Sequence, residues 1–274
     1  MTADAKYEEK IKIRRADCGV HDMSVLALFQ TMQYMTEAGT NALGIGLNYC
    51  EPQKLTWMAR RYHVEINRMP RGDETTAWST WTSALNGASG IREIEVFDAD
   101  RQKLLGAASE WIMVNVADPA RPKLSRLDAH VKSSPVCPDP SVTMGFSHVL
   151  SLKGLSDMFW DDTSVQVNSV PVHYTDCDFH YQANNARYPH WAVSALDPRF
   201  LMEFGPKMIS VDLKTPSKMG EELLVQTQKA PAEKTIAAHI TRHRIMKKAA
   251  PADAPFLKAA VSIQFAQRER GAAL

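Results

Sequence analysis

The chain has 274 residues, with 32 Lys plus Arg against 31 Asp plus Glu, so no overall field draws it to nucleic acid or to a membrane surface. No run of about 18 apolar residues is present, which excludes an ordinary spanning helix. Apolar residues make up 45% of the chain, enough for the core of one large domain or two modest ones. The N-terminal MTADAKYEEK is charged and lacks the apolar stretch of a secretory signal. Cys18, Cys50, Cys137 and Cys177 show no C-x-x-C or Cys/His metal spacing. The expectation is a cytoplasmic protein with reduced thiols, no metal and no other cofactor.

Tyr7 to Ile13 is a short, charge-interrupted run suited to an edge strand. Asp22 or Ser24 can cap a helix carried by Val25, Leu28, Phe29, Met32 and Met35, ending between Gly39 and Gly46. Strands follow. Tyr62, Val64 and Ile66 alternate with His63, Glu65 and Asn67 until the turn Pro70-Arg71-Gly72-Asp73. Thr75 to Ser83 is rich in Thr and Trp, and Asn86-Gly87 is a hairpin signal. Ile94 and Val96 alternate ahead of Asp98-Ala99-Asp100, and Leu104 to Val116 is a long apolar run. Asp118 to Pro140 changes character, with five prolines and no sustained period, as in a linker or crossing segment.

The order then restarts. Val165, Val167, Val170, Val172 and Tyr174 predict strand, and a helix pattern leads to Leu196. Strand-like runs follow at Lys207–Leu213, Glu222–Gln228, Thr235–Met246 and Phe256–Phe265. Asp17-Cys18-Gly19-Val20-His21 precedes the first helix and Asp176-Cys177-Asp178-Phe179-His180 the second. A repeated strand, helix, four-strand order predicts duplication of one α+β unit in which an antiparallel sheet wraps a helix. The boundaries read as 1–127 for the first unit, 128–163 for the linker and 164–274 for the second unit. A single mixed domain with chance D-C-x-x-H matches is the alternative.

The stretch Thr175–Trp191, TDCDFHYQANNARYPHW, gathers the chemistry. Asp178, His180, Gln182, Asn184 and Asn185 fall where polar, turn-favouring residues give way to helix. Tyr188, Trp191, Ala192, Ala195 and Leu196 then keep the spacing of one buried helix face. Helix N-termini present unpaired N–H groups and the positive end of the dipole, which favour developing negative charge.

LTWMARRYHVEINRMPRGDE, STWTS, IREIEVFDAD and ASEWIMVN, between Leu55 and Leu127, resemble the acyl-acyl-carrier-protein thioesterases. Those are double hotdog proteins of α+β class, with two tandem helix-wrapped-by-antiparallel-sheet units. In the second half the family pattern D-x-N-x-H-V-N-N-x-x-Y is similar to Asp178, His180, Gln182, Asn184, Asn185 and Tyr188 in register. Asp176-Cys177-Asp178 also resembles the hydroxybenzoyl-CoA type of hotdog thioesterase, whose second Asp carries the chemistry. Both comparisons imply Asp178 as the catalytic carboxylate. His180 stands where the family has Asn, Gln182 where it has His, and Thr215–Ser217, where the family's glutamate would fall, contains no acid.

The resemblance implies hydrolysis of a thioester on acyl carrier protein, or on coenzyme A, with room for a homodimer. Asp178 would act as base or nucleophile, His180 as a proton carrier, and Gln182 as a hydrogen-bonding orienter only. Asn184, Asn185 and Ala186 would bind substrate at the helix start, where an oxyanion donor is typically worth about 2.7–4 kcal/mol. The competing reading makes Asp178, Asn185 and Asp176 capping or turn residues. Cys177 as a thiolate beside His180 is a further rival. Trp57, Trp78, Trp81 and Trp111 are acyl-channel walls or plain core, and Arg242, His243, Arg244, Lys247 and Lys248 meet an acidic carrier protein or the phosphates of coenzyme A, or are a solvated strand end. Other functions left open are a dehydratase or acyltransferase on carrier-bound thioesters, and an acyl-thioester-binding protein without turnover.

Overall fold

The computed structural model describes residues 5–118, 121–143, 165–229, 239–248 and 256–268. The chain divides into two compact units, Met1–Leu152 and Lys153–Leu274. Among the described residues no helix is long and apolar enough to cross a membrane.

The first unit runs β1 (Lys6–Lys12), α1 (Val25–Ala42), α2 (Leu47–Cys50), β2 (Leu55–Ile66), β3 (Thr75–Asn86), β4 (Ser89–Phe97), β5 (Lys103–Asn115), β6 (Lys123–Leu124) and α3 (Ala129–Lys132). Ser24 is the cap of α1, its side chain accepting the Ala27 N–H at 3.1 Å. The expected apolar positions Val25, Leu28, Phe29, Met32 and Met35 are all buried. Antiparallel pairing gives the strand order β1-β3-β4-β5-β2, with β6 beside β5. Asn86 and Ser89 close the β3–β4 hairpin. Gly87 is therefore the first of its two loop residues, at φ 60°, which glycine adopts without steric cost.

The segment expected to link the units is described as far as Thr143, and it packs on the first unit over that span. Cys137 N–H donates to Thr82 O at 2.8 Å, and Trp81 Nε1 to Asp139 O at 2.9 Å. Ser141 then buries the carboxylate of Glu93, giving it N–H and hydroxyl bonds of 3.0 and 2.6 Å. The close approach needs Gly106, where a Cβ would stand 2.1 Å from Ser141 O. Residues 144–164 lie outside the described residues.

The second unit repeats the plan: β7 (Gln166–Pro171), α4 (Arg187–Ser194), α5 (Pro198–Glu203), β8 (Phe204–Leu213), β9 (Glu222–Lys229), β10 (His239–Lys247) and β11 (Phe256–Gln267). Its antiparallel order is β7-β9-β10-β11-β8. In each unit the first strand lies beside the third, followed by the fourth, the fifth and then the second. Helix α4 packs on β9, β10 and β11 with Tyr188, Trp191 and Ala192 buried. It ends at Ser194 with Ala195 as its C-cap, and Asp197, the residue before Pro198, is turned away from helical geometry. Asp197 then caps α5 by accepting the Arg199 N–H at 2.8 Å.

Duplication extends to individual hydrogen bonds ahead of each helix. Ser24 N–H donates to Asp17 O at 2.9 Å, and Asn184 N–H to Asp176 O at 2.8 Å. Met23 N–H reaches Pro70 O and Ala183 N–H reaches Ser217 O, both at 2.8 Å. Gly19 N–H closes on Asp22 O and Asp178 N–H on Gln182 O, again at 2.8 Å. Gly19 is thus the structural counterpart of Asp178, but the second loop is one residue longer. That loop contains Tyr181 in the left-handed region, at φ 60°.

Candidate functional site

The second of these loops builds the candidate site. A single turn at Tyr174–Asp176 brings the chain round, with the buried Asp176 carboxylate accepting the His173 N–H at 2.8 Å. Arg187, the first residue of α4, secures the turn from the other side. Its Nη2 donates to Thr175 O at 2.8 Å and its Nε lies 3.3 Å from Asp176 Oδ1. Asp176 is therefore a turn residue in this arrangement, as the competing reading of the sequence held for it.

Asp178, His180 and Gln182 share the tight loop that follows. Asp178 is half-buried, and its Oδ1 accepts the His180 N–H at 2.9 Å, which fixes the carboxylate relative to the backbone. The main chains of Asp178 and Gln182 meet at 2.8 Å, so both residues stand at the mouth of one loop. The His180 ring lies against Phe179, centroids 4.1 Å apart, and Gln182 bridges to Lys218. Phe179 and Tyr181 are exposed.

Asn184 governs the helix start. Its Oδ1 accepts the Ala186 N–H and its carbonyl the Arg187 N–H, both at 2.9 Å. Asn184 thus closes a side-chain turn ahead of the helix, and Asn185 and Ala186 lead into α4, whose first turn has no side-chain cap at Ala186. Ala186 is fully buried, and its N–H is taken by Asn184 Oδ1.

Below the loop lies a polar device that sequence reasoning missed. Tyr188 Oη accepts the Ser217 N–H at 2.9 Å and donates to Ser217 Oγ at 3.1 Å. Ser217 is completely buried, and its carbonyl takes the Ala183 N–H, so the pair ties α4 and the candidate loop to the turn after β8. Burial raises the Tyr188 pKa, and the charges of Glu221 and Asp178 raise it further, while the bonds to Ser217 oppose them. Asp212 is the last acid before the position at which the resemblance leads one to expect a glutamate, and Glu221 is the first acid after it. Glu221 is bound to Lys258 at 3.0 Å and Lys247 at 3.3 Å, and accepts the Lys218 N–H at 3.1 Å. The spacing gave only an apolar role for Tyr188; the signal available was a phenol on a buried helix face, whose hydroxyl needs a partner.

Other sequence candidates resolve differently. Burial raises the Cys177 pKa, as do Asp176 and Asp178, and its thiol donates to His173 O at 3.6 Å, so the thiolate nucleophile is disfavoured. The indole N–H groups of Trp57, Trp78, Trp81 and Trp111 bond within the protein at 2.8–2.9 Å, as anchored packing residues. The basic run on β10 is not one patch. His243 turns inward between Thr227 and Thr241, while Lys247 and Lys248 engage Glu221 and Glu222.

Two successive units of one helix on a five-stranded antiparallel core, with a shared strand order, define a double hotdog protein. The family model for the acyl-ACP thioesterase N-terminal domain matches residues 4–126, and that for the C-terminal domain matches residues 161–264; the chain belongs to the acyl-ACP thioesterase family. It is 20% identical over 219 residues to oleoyl-acyl carrier protein thioesterase 2, chloroplastic, of Arabidopsis thaliana, covering 76% of this chain and 59% of that protein. Against the oleoyl-acyl carrier protein thioesterase, chloroplastic, of Coriandrum sativum it is 22% identical over 226 residues, covering 78% and 60%. The aligned region thus spans about three-fifths of the length of these relatives. Among solved structures, the 12:0-ACP thioesterase from Umbellularia californica superimposes with a TM-score of 0.81 at 16% identity, covering 96% of this chain and 95% of that one. An acyl-ACP thioesterase from Bacteroides thetaiotaomicron VPI-5482 gives 0.74 at 14% identity, covering 95% and 98%. At these identities the structural likeness establishes the fold.

Proposed function

We propose that this protein hydrolyses acyl thioesters carried by acyl carrier protein, with Asp178 as the reacting carboxylate at the start of α4. The observation that carries the reading is the loop closure itself. Asp178 N–H on Gln182 O and Asn184 N–H on Asp176 O close the loop that carries the Asp178 carboxylate and runs on to the start of α4, and this supports the reading in a chain of this family. In the first unit Gly19 occupies the equivalent position, so that unit has no such carboxylate. Coenzyme A thioesters are the alternative carrier.

As base, Asp178 takes a proton from water while the water oxygen bonds to the thioester carbon. The carbonyl oxygen becomes an oxyanion directed at the backbone of Asn185 and Ala186, displacing Asn184 Oδ1 from the Ala186 N–H. Asn184 then turns its amide toward substrate. Collapse breaks the carbon–sulfur bond, and the leaving thiolate takes a proton through His180, giving free acid and carrier thiol. Gln182 orients water or substrate by hydrogen bonding alone. As nucleophile, Asp178 would instead form a mixed anhydride, which water opens.

A single turnover in 18O-labelled water separates the two routes, because only the nucleophile route leaves label in the Asp178 carboxylate once the anhydride is opened on the Asp side. Thiol release from acyl-carrier and acyl-CoA substrates tests the activity itself; a protein inert toward both would contradict the reading. One observation favours binding without turnover: Ser217, close to the family's glutamate position, spends its N–H and hydroxyl on Tyr188. Saturable ligand binding with no released thiol would identify that case. Unsaturated product from β-hydroxyacyl substrates would identify a dehydratase.

A further inference from the structure

We propose that the first unit carries a small oxyanion-binding cavity at the C-terminal end of α1, with Arg92 taking the anion's charge and a short carboxylate as its best ligand. The cavity is about 250 Å³, and Tyr7, Gly39, Ala42, Leu43, Thr80 and Arg92 are among the residues lining it. Arg92 is 4% exposed. Its Nη1 donates to Thr82 Oγ1 and its Nη2 to Thr80 Oγ1, both at 3.0 Å, and its Nε has no hydrogen-bond partner among the described residues. Both partners are neutral hydroxyls.

The adjacent acid does not serve as counter-charge. Successive strand residues point to opposite faces, and the Glu93 carboxylate is bound by Ser83 and Ser141. Lys6 also borders the cavity, but its ammonium stands 4.0 Å over the Trp81 ring. The Tyr7 hydroxyl donates to Glu9. The partial negative end of α1, against which the guanidinium lies, offsets part of this buried charge, and an anion bonded to the guanidinium in the adjoining space offsets the rest. Burial pushes the Arg92 pKa down to about 9, still above neutrality, so the cation persists.

Gly39 is the second sign that the position is built. A Cβ there would stand 2.1 Å from Arg92 Nη2. A glycine in a helix interior is destabilising, and here its absent side chain makes room for the guanidinium. A planar guanidinium suits the geometry of a carboxylate or a phosphate. Ala42 and Leu43 add an apolar wall, which favours a carboxylate with a short hydrocarbon tail. The site stands independently of the hydrolase reading, since it uses no residue of the Asp178 loop.

The test is thermal unfolding of the full chain at constant ionic strength, titrated with sodium hexanoate or with sodium phosphate. The expected result is a saturable rise in Tm, larger for hexanoate, which disappears in Arg92→Met. Ala42→Phe fills the cavity while leaving the guanidinium in place, and it too should abolish the rise. That variant decides the matter if Arg92→Met does not fold. A larger response to phosphate keeps the oxyanion site and overturns the carboxylate preference. No saturable response of the wild type to either anion, or a response that survives Ala42→Phe, overturns the site.

Discussion

Tyr188→Phe removes one oxygen atom and tests how the candidate loop is held. In the wild type that oxygen accepts the Ser217 N–H at 2.9 Å and donates to Ser217 Oγ at 3.1 Å, in a place with no solvent access to Ser217. The phenylalanine variant leaves a buried N–H without its acceptor, at a cost of about 1–3 kcal/mol. Ser217→Ala removes only the hydroxyl partner and leaves the phenol accepting the N–H, so about 0.5–1.5 kcal/mol is expected. In the double variant the N–H is still orphaned, so its cost should equal that of Tyr188→Phe alone and not the sum. Because a chain of two units need not unfold in one step, the readout is hydrogen exchange over residues 214–221. At 1.4 kcal/mol per factor of ten, Tyr188→Phe should speed exchange there by about 5- to 150-fold. Since Ser217 O also holds the Ala183 N–H, turnover should fall with it. Exchange unchanged from wild type, or additive costs in the double variant, would refute this account of the loop.

Two further outcomes follow from the same physical chemistry. His243 is fully buried between Thr227 and Thr241, and burial lowers its pKa from 6.5 to about 3. The unfolded state therefore binds the proton first as pH falls. Stability is intact above pH about 6.5 and declines toward about 3, with about 2 kcal/mol lost by pH 5. Urea midpoints of wild type and His243→Gln at pH 8 and 5 check this, and equal pH dependence in the two proteins would refute it. Ser24→Ala removes the acceptor for the Ala27 N–H and should cost about 1 kcal/mol, read from the urea midpoint of the first unit's transition; no shift would show the cap to be idle.

What the sequence made legible is what short-range physics controls. Helix α1 begins at a Ser24 cap and follows its apolar period, and the strands fall where alternation and turn residues put them. The repeated D-C before each helix was legible as well, and matching hydrogen bonds lie beneath it. What escaped depends on contacts between distant residues. Ser141 meets Glu93, and Tyr188 meets Ser217, and neither pair carries a local pattern. Burial of the Arg92 guanidinium beneath Gly39 looks in sequence like an exposed strand charge and an unexplained helix glycine. The basic run on β10 misleads for the opposite reason, because the two-residue strand period sends His243 inward and its neighbours elsewhere. Residues 235–238, at the head of the predicted strand, lie outside the described residues. Asp178, His180 and Gln182 stood together in the sequence, but the side-chain turn closed by Asn184 and the brace from Arg187 emerged only in three dimensions.

The most direct test of the central claim is single-turnover hydrolysis of acyl-carrier-protein thioesters by Asp178→Asn. Asparagine keeps an Oδ1 that can accept the His180 N–H, so the turn survives while basicity and nucleophilicity are lost. If Asp178 is the reacting carboxylate, the rate should fall by about 100-fold or more with hydrogen exchange across the loop unchanged. A rate within a few-fold of wild type would contradict the account and return Asp178 to a turn-forming role.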